Sequence, residues 1–379
     1  MRLLPCLALV LTAALLPAQD FDFKGIPADY TVAFATSGTR GLKITESPEA
    51  KAFKERMKAR MAKDDKGAMK SNLELQAAIK AATGIDMESP DSWFAGGCLI
   101  DDNFPLIARS SDNFSGGLIY HAHHDSRKLA AYAAGKKIPA VQAGTTSGWQ
   151  ARELLSSFGP AFEQMFAAKK EPAPQAVQGE PIGIFDLDDN TIVVAQPKEA
   201  VRIIALLKGQ GTSYALPAGL STPLAVTGRP YAILTFDASR MPPSTSKELT
   251  QSGFQRAFLA IGENNSNQVL KISTTFTSKE KATPLAQQAQ GMMAMLPMMI
   301  AGDPRKPKTE EEKALQAFLG EILAGIQPIE ATDNQVALIA KWDTVKFIGL
   351  IEKIMPIVEA QAKAAKAAQA KPVPQPVTK

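Results

Sequence analysis

Apolar positions along this chain follow two periods: alternate residues in short runs, and every third or fourth residue in longer ones. One succession of these periods occurs twice. Residues 186–209, DLDDNTIVVAQPKEAVRIIALLKG, align without a gap with residues 330–353, EATDNQVALIAKWDTVKFIGLIEK. The pairs Asp189/Asp333, Asn190/Asn334, Val201/Val345, Ile204/Ile348 and Leu206/Leu350 are identical. Glu199/Asp343, Arg202/Lys346 and Ile203/Phe347 keep their chemistry. Each copy reads as a hairpin turning at Asp-Asn, followed by a helix. Ile182–Phe185 and Thr191–Ala195 flank the first turn, and Val336–Ala340 follows the second. Asp343 is placed to cap the second helix, with Phe347, Ile351, Ile354 and Val358 on one face. In the first helix Glu199 is the acid of the cap region, and Ile203, Leu206 and Leu207 face inward.

The duplication continues upstream with gaps. Leu118–Arg127 lies opposite Leu270–Lys279, and Tyr30–Phe34 opposite Tyr231–Thr235, both as strand-like runs. The first copy carries extra material. Most of it is two helices, one from Pro48 after Ser47 and one from Leu73 after Asn72, stopping near Gly84. A further helix starts at Thr283-Pro284 and runs through the methionines to Gly302. Thr309-x-x-Glu312 is a capping box ahead of the stripe Leu315, Phe318, Leu319, Ile322, Leu323 and Ile326. Lys169–Pro181 and Gly209–Pro230 read as loops. The expected fold class is α+β, with two tandem related domains, each an antiparallel sheet packed by amphipathic helices. The first spans 19–212 with a helical insertion at 47–84, and the second spans 213–360. Residues 361–379, rich in Ala, Lys and Pro, read as a flexible tail.

The opening MRLLPCLALVLTAALLPAQD, with Arg2 ahead of an apolar run and Ala18 at a cleavage position, reads as a secretory signal peptide over 1–18. The run is too short for a transmembrane helix, which needs about 20 apolar residues. The expected product is secreted or periplasmic and not an integral membrane protein. Cys98 is then the one cysteine left, so no internal disulfide can form. The formal net charge is +4. Arg2 and the tail residues Lys363, Lys366, Lys371 and Lys379 account for more than that excess, leaving a near-neutral body. A nucleic-acid binder would carry a basic face on its folded part, so that class is set aside. The layout, with a leader and two copies of an FDLDDNTIVVA-type hairpin and helix, resembles a group of uncharacterised secreted two-repeat α+β proteins of planctomycete-type bacteria. The resemblance is structural and supplies no catalytic residues.

Candidate chemistry is sparse. The chain has 3 histidines, all within His121-Ala122-His123-His124. On a strand His121, His123 and Asp125 share a face, and H-x-H on a strand can chelate Zn²⁺ or Cu²⁺. Ser273 and Thr275 stand opposite the two histidines in the second copy, so a solvated strand end is the plainer reading. HAHHDS also resembles the H-x-H-x-D-H motif of metallo-β-lactamase-like hydrolases. Ser126 replaces its last histidine, and the chain lacks the nitrogen ligands for two metals. Met292, Met295 and Met298, three apart, could form a soft Cu(I) surface; core packing, or else an apolar contact surface, is preferred. Asp186-x-Asp188-x-Asn190 resembles the start of a calcium loop, but Thr191 stands at the central glycine and Pro197 at the closing glutamate. Cys98 reads as a small buried hydrophobe. Gly144–Gly148 is not a nucleophile elbow, and phosphate and dinucleotide motifs are absent from the sequence.

No catalytic residue and no cofactor is therefore expected. The leading functional reading is an exported, non-catalytic interaction, scaffold or binding protein with a protein or surface partner. The alternative is a metal-binding (Cu/Zn) protein of the same compartment using His121, His123 and Asp125.

Overall fold

The computed structural model describes residues 23–38, 40–63, 68–86, 89, 91–100, 115–158, 180–216, 227–301, 310–349 and 351–352. The leader, the tail, most of the 169–181 loop, Thr309, Ile354 and Val358 lie outside them.

The strands are β1 (Val32–Thr36), β2 (Trp93–Cys98), β3 (Gly116–His121), β4 (Ala140–Ala143), β5 (Thr146–Gln150), β6 (Gly183–Asp188), β7 (Thr191–Ala195), β8 (Arg229–Asp237), β9 (Phe254–Asn264), β10 (Asn267–Phe276), β11 (Glu330–Thr332) and β12 (Gln335–Asp343). The helices are α1 (Lys43–Glu46), α2 (Pro48–Lys63), α3 (Ala68–Thr83), α4 (Ser126–Gly135), α5 (Ala151–Ser156), α6 (Pro197–Leu207), α7 (Pro243–Gln251), α8 (Lys279–Ala301) and α9 (Glu310–Ala324). Residues 344–349 and 351–352 are also helical. The fold is α+β, as expected.

The division into two domains with a sheet each is corrected by the topology. The twelve strands form one sheet in the order β11-β12-β10-β9-β8-β1-β2-β3-β7-β6-β5-β4, with antiparallel neighbours throughout. Its seam is β1 on β8, in register from Val32↔Phe236 to Thr36↔Ala232. A sheet edge left open at β1 or β8 would present unpaired backbone groups; pairing the two removes both edges.

The register explains where the core lies. Side chains alternate across a strand, so Phe185, Val193, Ile119, Ala95, Ala35, Ile233, Ala260, Lys271 and Ile339, paired strand to strand, share one face. All are buried. On the β1–β7 side, Ala200, Ile203 and Ile204 of α6 pack against this row. The opposite face on that side lies under α4 and α5, where Leu129, Ala133 and Leu154 meet Ile184 and Ile192.

Local signals set most element ends. Ser47 Oγ accepts from Ala50 N at 3.1 Å, opening α2. Gly84, at φ +78°, follows α3 with its N–H on Lys80 O. Asp343 Oδ1 accepts from Val345 N and Lys346 N, capping the last helix as anticipated. Two boundaries differ. The helix ending in Thr83 begins at Ala68 rather than Leu73. The methionine helix begins at Lys279, ahead of Thr283-Pro284. Pro284 and Pro297 both lie inside it, and each leaves out one i→i−4 hydrogen bond.

Candidate functional site

The histidine cluster was the sharpest chemical expectation. β3 ends at His121, yet burial keeps alternating beyond it: Ala122 and His124 are buried, while His121, His123 and Asp125 stay on the solvent side, as a solvated strand end requires. His121 stacks on Trp93 with ring centroids 5.0 Å apart. His123 is exposed, its Nδ1 3.4 Å from Asn190 Oδ1. Asp125 caps α4, with Oδ1 accepting from Arg127 N at 3.0 Å and Lys128 N at 3.1 Å. The three side chains serve three separate partners. Among the described residues no group of three His, Cys, Asp or Glu side chains could hold a metal ion.

His124, the histidine left out of that triad, is the buried one. Its Nδ1 lies 2.8 Å from Ala122 O and its Nε2 2.9 Å from Asp186 Oδ1. Burial opposes protonation. The Asp186 hydrogen bond, the Ala122 carbonyl, and the charges of Asp186 and Asp189 outweigh it and hold His124 above its ordinary pKa. Sequence reading missed this pair because it joins residues far apart in the chain. Asp186 lies towards the end of β6, which is separated from β3 by β7, so sequence adjacency gave no clue.

The calcium-like Asp186-x-Asp188-x-Asn190 is likewise spent on local structure. Asp186 faces His124. Asp188 Oδ1 accepts from Asn190 N at 2.8 Å, closing the turn. Asp189 Oδ1 accepts from Ser126 N at 3.1 Å, tying the turn to α4. That backbone hydrogen bond from Ser126 holds the Asp189 carboxyl below its usual range. The Cys98 thiol is pushed up to about 11 by burial, which keeps it neutral at physiological pH.

The chemistry left without an internal use is apolar. α8 is anchored by Ala282 and Ala286, buried against Phe276, Ile329 and Val336. Beyond Gln290 its solvent side changes character. Met292, Met295 and Met298 are 59%, 59% and 76% exposed. These spacings put them along one stripe. The preferred expectation, core packing, is corrected: Met292, Met295 and Met298 lie on the solvent side of α8, while Met293, on its other side, packs against the small core of Phe276, Ile329 and Val336.

A second apolar feature lies on the sheet itself. Phe34, Leu234, Leu259, Ile272 and Leu338 pair in one line across β1, β8, β9, β10 and β12. They lie on the face opposite the buried row. None is buried, and Ile272 is exposed. Phe34 lies over Gly96, where a Cβ would come within 2.6 Å of its ring, so only glycine fits. No helix among the described residues is long and apolar enough to cross a membrane.

No family model matches this chain, and no curated protein matches it. Solved structures of the Treponema protein TP0453 are similar over most of its length. Crystal form I shares 8% identity over 87% of this chain and 96% of that one, at a TM-score of 0.35. Form III shares 7% over 88% and 98%, at 0.37. Form IV shares 7% over 88% and 97%, at 0.39.

Proposed function

We propose that this protein is an exported, non-catalytic interaction module that works through an apolar surface on α8. One observation carries the reading: Met292, Met295 and Met298 face solvent on a helix whose base is fixed to the sheet. Monomeric proteins seldom leave apolar patches open without using them, and methionine suits a contact surface because its unbranched side chain adapts to what it meets. The leader over 1–18 supports export. The polar groups that suggested chemistry support the non-catalytic part, since His121, Asp125, Asp186, Asp188 and Asp189 are each engaged in a cap, a turn, a ring stack or an internal pair. The metal-binding alternative at His121, His123 and Asp125 has no comparable geometry behind it.

The same reading takes the chain as one unit used twice. Outward from the seam the strand order is β1-β2-β3-β7-β6 in one direction and β8-β9-β10-β12-β11 in the other. The turn pairs correspond too, Asp188↔Thr191 and Thr332↔Gln335. Tyr30 and Tyr231 stand at matching places and both reach toward the helix after the hairpin. Tyr30 does so directly through Glu199, and Tyr231 through Gln268, whose amide donates to Thr344 Oγ1. Against this framework α8 and α9 occupy the connection that α4, β4, β5 and α5 occupy in the first half. The exposed methionines are therefore a specialisation of the second half.

Methionine oxidation tests the reading. In purified protein Met292, Met295 and Met298 are expected to convert to sulfoxide under mild peroxide well before Met293. In the native secreted or envelope fraction they are expected to be protected. Equal oxidation in both settings would refute contact through this surface.

A further inference from the structure

We infer that the outer part of α8, Gly291–Met298, is a lipid-contact element that seats in the interfacial layer of a phospholipid bilayer. This rests on the contact reading above and specifies what the surface touches.

From Ala282 to Ala301 no residue is charged, and from Gly291 to Ala301 none is polar: Gly-Met-Met-Ala-Met-Leu-Pro-Met-Met-Ile-Ala. The inner part of the helix is an ordinary surface helix, with Ala282 and Ala286 inward and Gln287, Gln288 and Gln290 outward in water. The outer part has no such division. Gly291, Met292, Ala294, Met295, Pro297 and Met298 are exposed, while Met293 and Leu296 are half-buried. A helix apolar on all sides belongs in a core or in lipid. An apolar run of roughly 10–14 residues is typically a buried core helix, an interfacial segment or a leader's apolar region. Exposure removes the first and position in the chain removes the last. Met293 and Leu296 already face the protein, and a partner's groove laid on one of the remaining sides would leave the apolar side chains of the others in water. The headgroup–acyl boundary accepts all the exposed sides at once. The run is about 16 Å long, too short to span a bilayer of about 30 Å, and suited to lying in one leaflet while the sheet stays outside.

Charge specifies the lipid further. The sequence beyond the run sets Asp303, Glu310, Glu311 and Glu312 against Arg305, Lys306, Lys308 and Lys313. A polybasic flank would select anionic lipid; this balanced one does not. Binding should be to zwitterionic bilayers and indifferent to salt.

The test is vesicle flotation of the chain from Gln19 onward, which keeps every described element, beside the triple variant Met292→Gln, Met295→Gln, Met298→Gln. The wild type is expected to float with phosphatidylcholine vesicles, unaltered by added phosphatidylglycerol or salt. The triple variant should partition about a hundredfold less, three side chains no longer leaving water, with an unchanged melting temperature. Absence from the phosphatidylcholine fraction would overturn the proposal, as would equal flotation of the variant or a requirement for anionic lipid. The contact reading fails separately. If the methionines are protected in native material yet the protein ignores vesicles, the surface meets a protein, and sedimentation showing a dimer lost in the variant would identify that protein as a second copy. If they are not protected, both readings fall.

Discussion

Nε2 of His124 lies 2.9 Å from Oδ1 of Asp186, and both residues are withdrawn from solvent. Nδ1 of the same ring faces the Ala122 carbonyl, which can only accept a hydrogen bond. This geometry favours the protonated ring, in which both nitrogens donate, and it ties the end of β3 to the Asp186 end of β6.

The stability supplied by this pair should depend on pH with a defined sign. The folded-state pKa of His124 is raised above its ordinary 6.5. Protonation is then linked to folding: the contribution is fully present below about pH 6.5 and is lost as pH rises through the higher folded value. His124→Gln should cost about 1–3 kcal/mol at about pH 6 and less as the pH is raised towards about 9. Urea unfolding of both proteins across that range checks this. A gap that stays constant or widens with pH would contradict the assigned charge state.

A second buried pair holds the other face of the first half. Tyr30 Oη donates to Glu199 Oε2 at 2.9 Å, and Arg202 donates from one nitrogen to both Glu199 oxygens and from another to Asp29 Oδ1 at 2.6 Å. Glu199 is buried, and these donors satisfy both of its carboxyl oxygens. Glu199→Ala should cost about 3–5 kcal/mol, leaving a buried hydroxyl and a partly buried guanidinium without their acceptor. Tyr30→Phe should cost less, about 1–2 kcal/mol. The double variant should be less destabilised than the sum of the two, with a coupling of about 1 kcal/mol or more. Strict additivity in a denaturation series would show that the hydroxyl and carboxylate do not act together.

These pairs show what the sequence could and could not disclose. The hairpins, Asp343 as a cap, α2 and the inward face of α6 were legible because they depend on neighbours within a few residues. Glu199 was placed correctly in the first turn of its helix, but its real partner, Tyr30, belongs to a segment far upstream. The shared solvent side of His121, His123 and Asp125 was legible too, because it needs only the alternation that runs on past β3; that each of the three has a partner of its own was not. The partners come from elsewhere in the chain: Trp93 for His121, Asn190 for His123 and the first turn of α4 for Asp125. The methionines were misassigned for a related reason. Composition marks them as apolar, and apolar residues are usually inside; only the packing of α8, with Met293 turned to the core and its neighbours turned away, reveals that they are not. The union of the two copies in one sheet was also hidden, since pairing between β1 and β8 leaves no signature in either strand.

That union carries the last prediction. Ala33, Ala35 and Ile233 at the seam are buried. The line from Phe185 to Ile339 passes through them without a break, so the two halves share one interior. Two domains with separate cores would unfold in two steps. A core continuous across the seam should unfold as one cooperative unit, because opening β1 from β8 exposes apolar surface of both halves and two sheet edges together. Calorimetry of the chain should therefore show one transition whose van't Hoff and calorimetric enthalpies agree. Cutting the chain between Leu216 and Thr227 gives a stricter version. The two fragments, each left with an open edge strand, should be poorly folded alone and should recover a common transition when co-expressed. Weakening the seam with Ala35→Asp, which puts a charge into the buried row, should lower that transition and prevent the fragments from associating. Two resolved transitions in the intact chain, or a fragment that folds as well alone as with its partner, would mean that the halves are independent and that the β1–β8 ladder joins them only at the backbone.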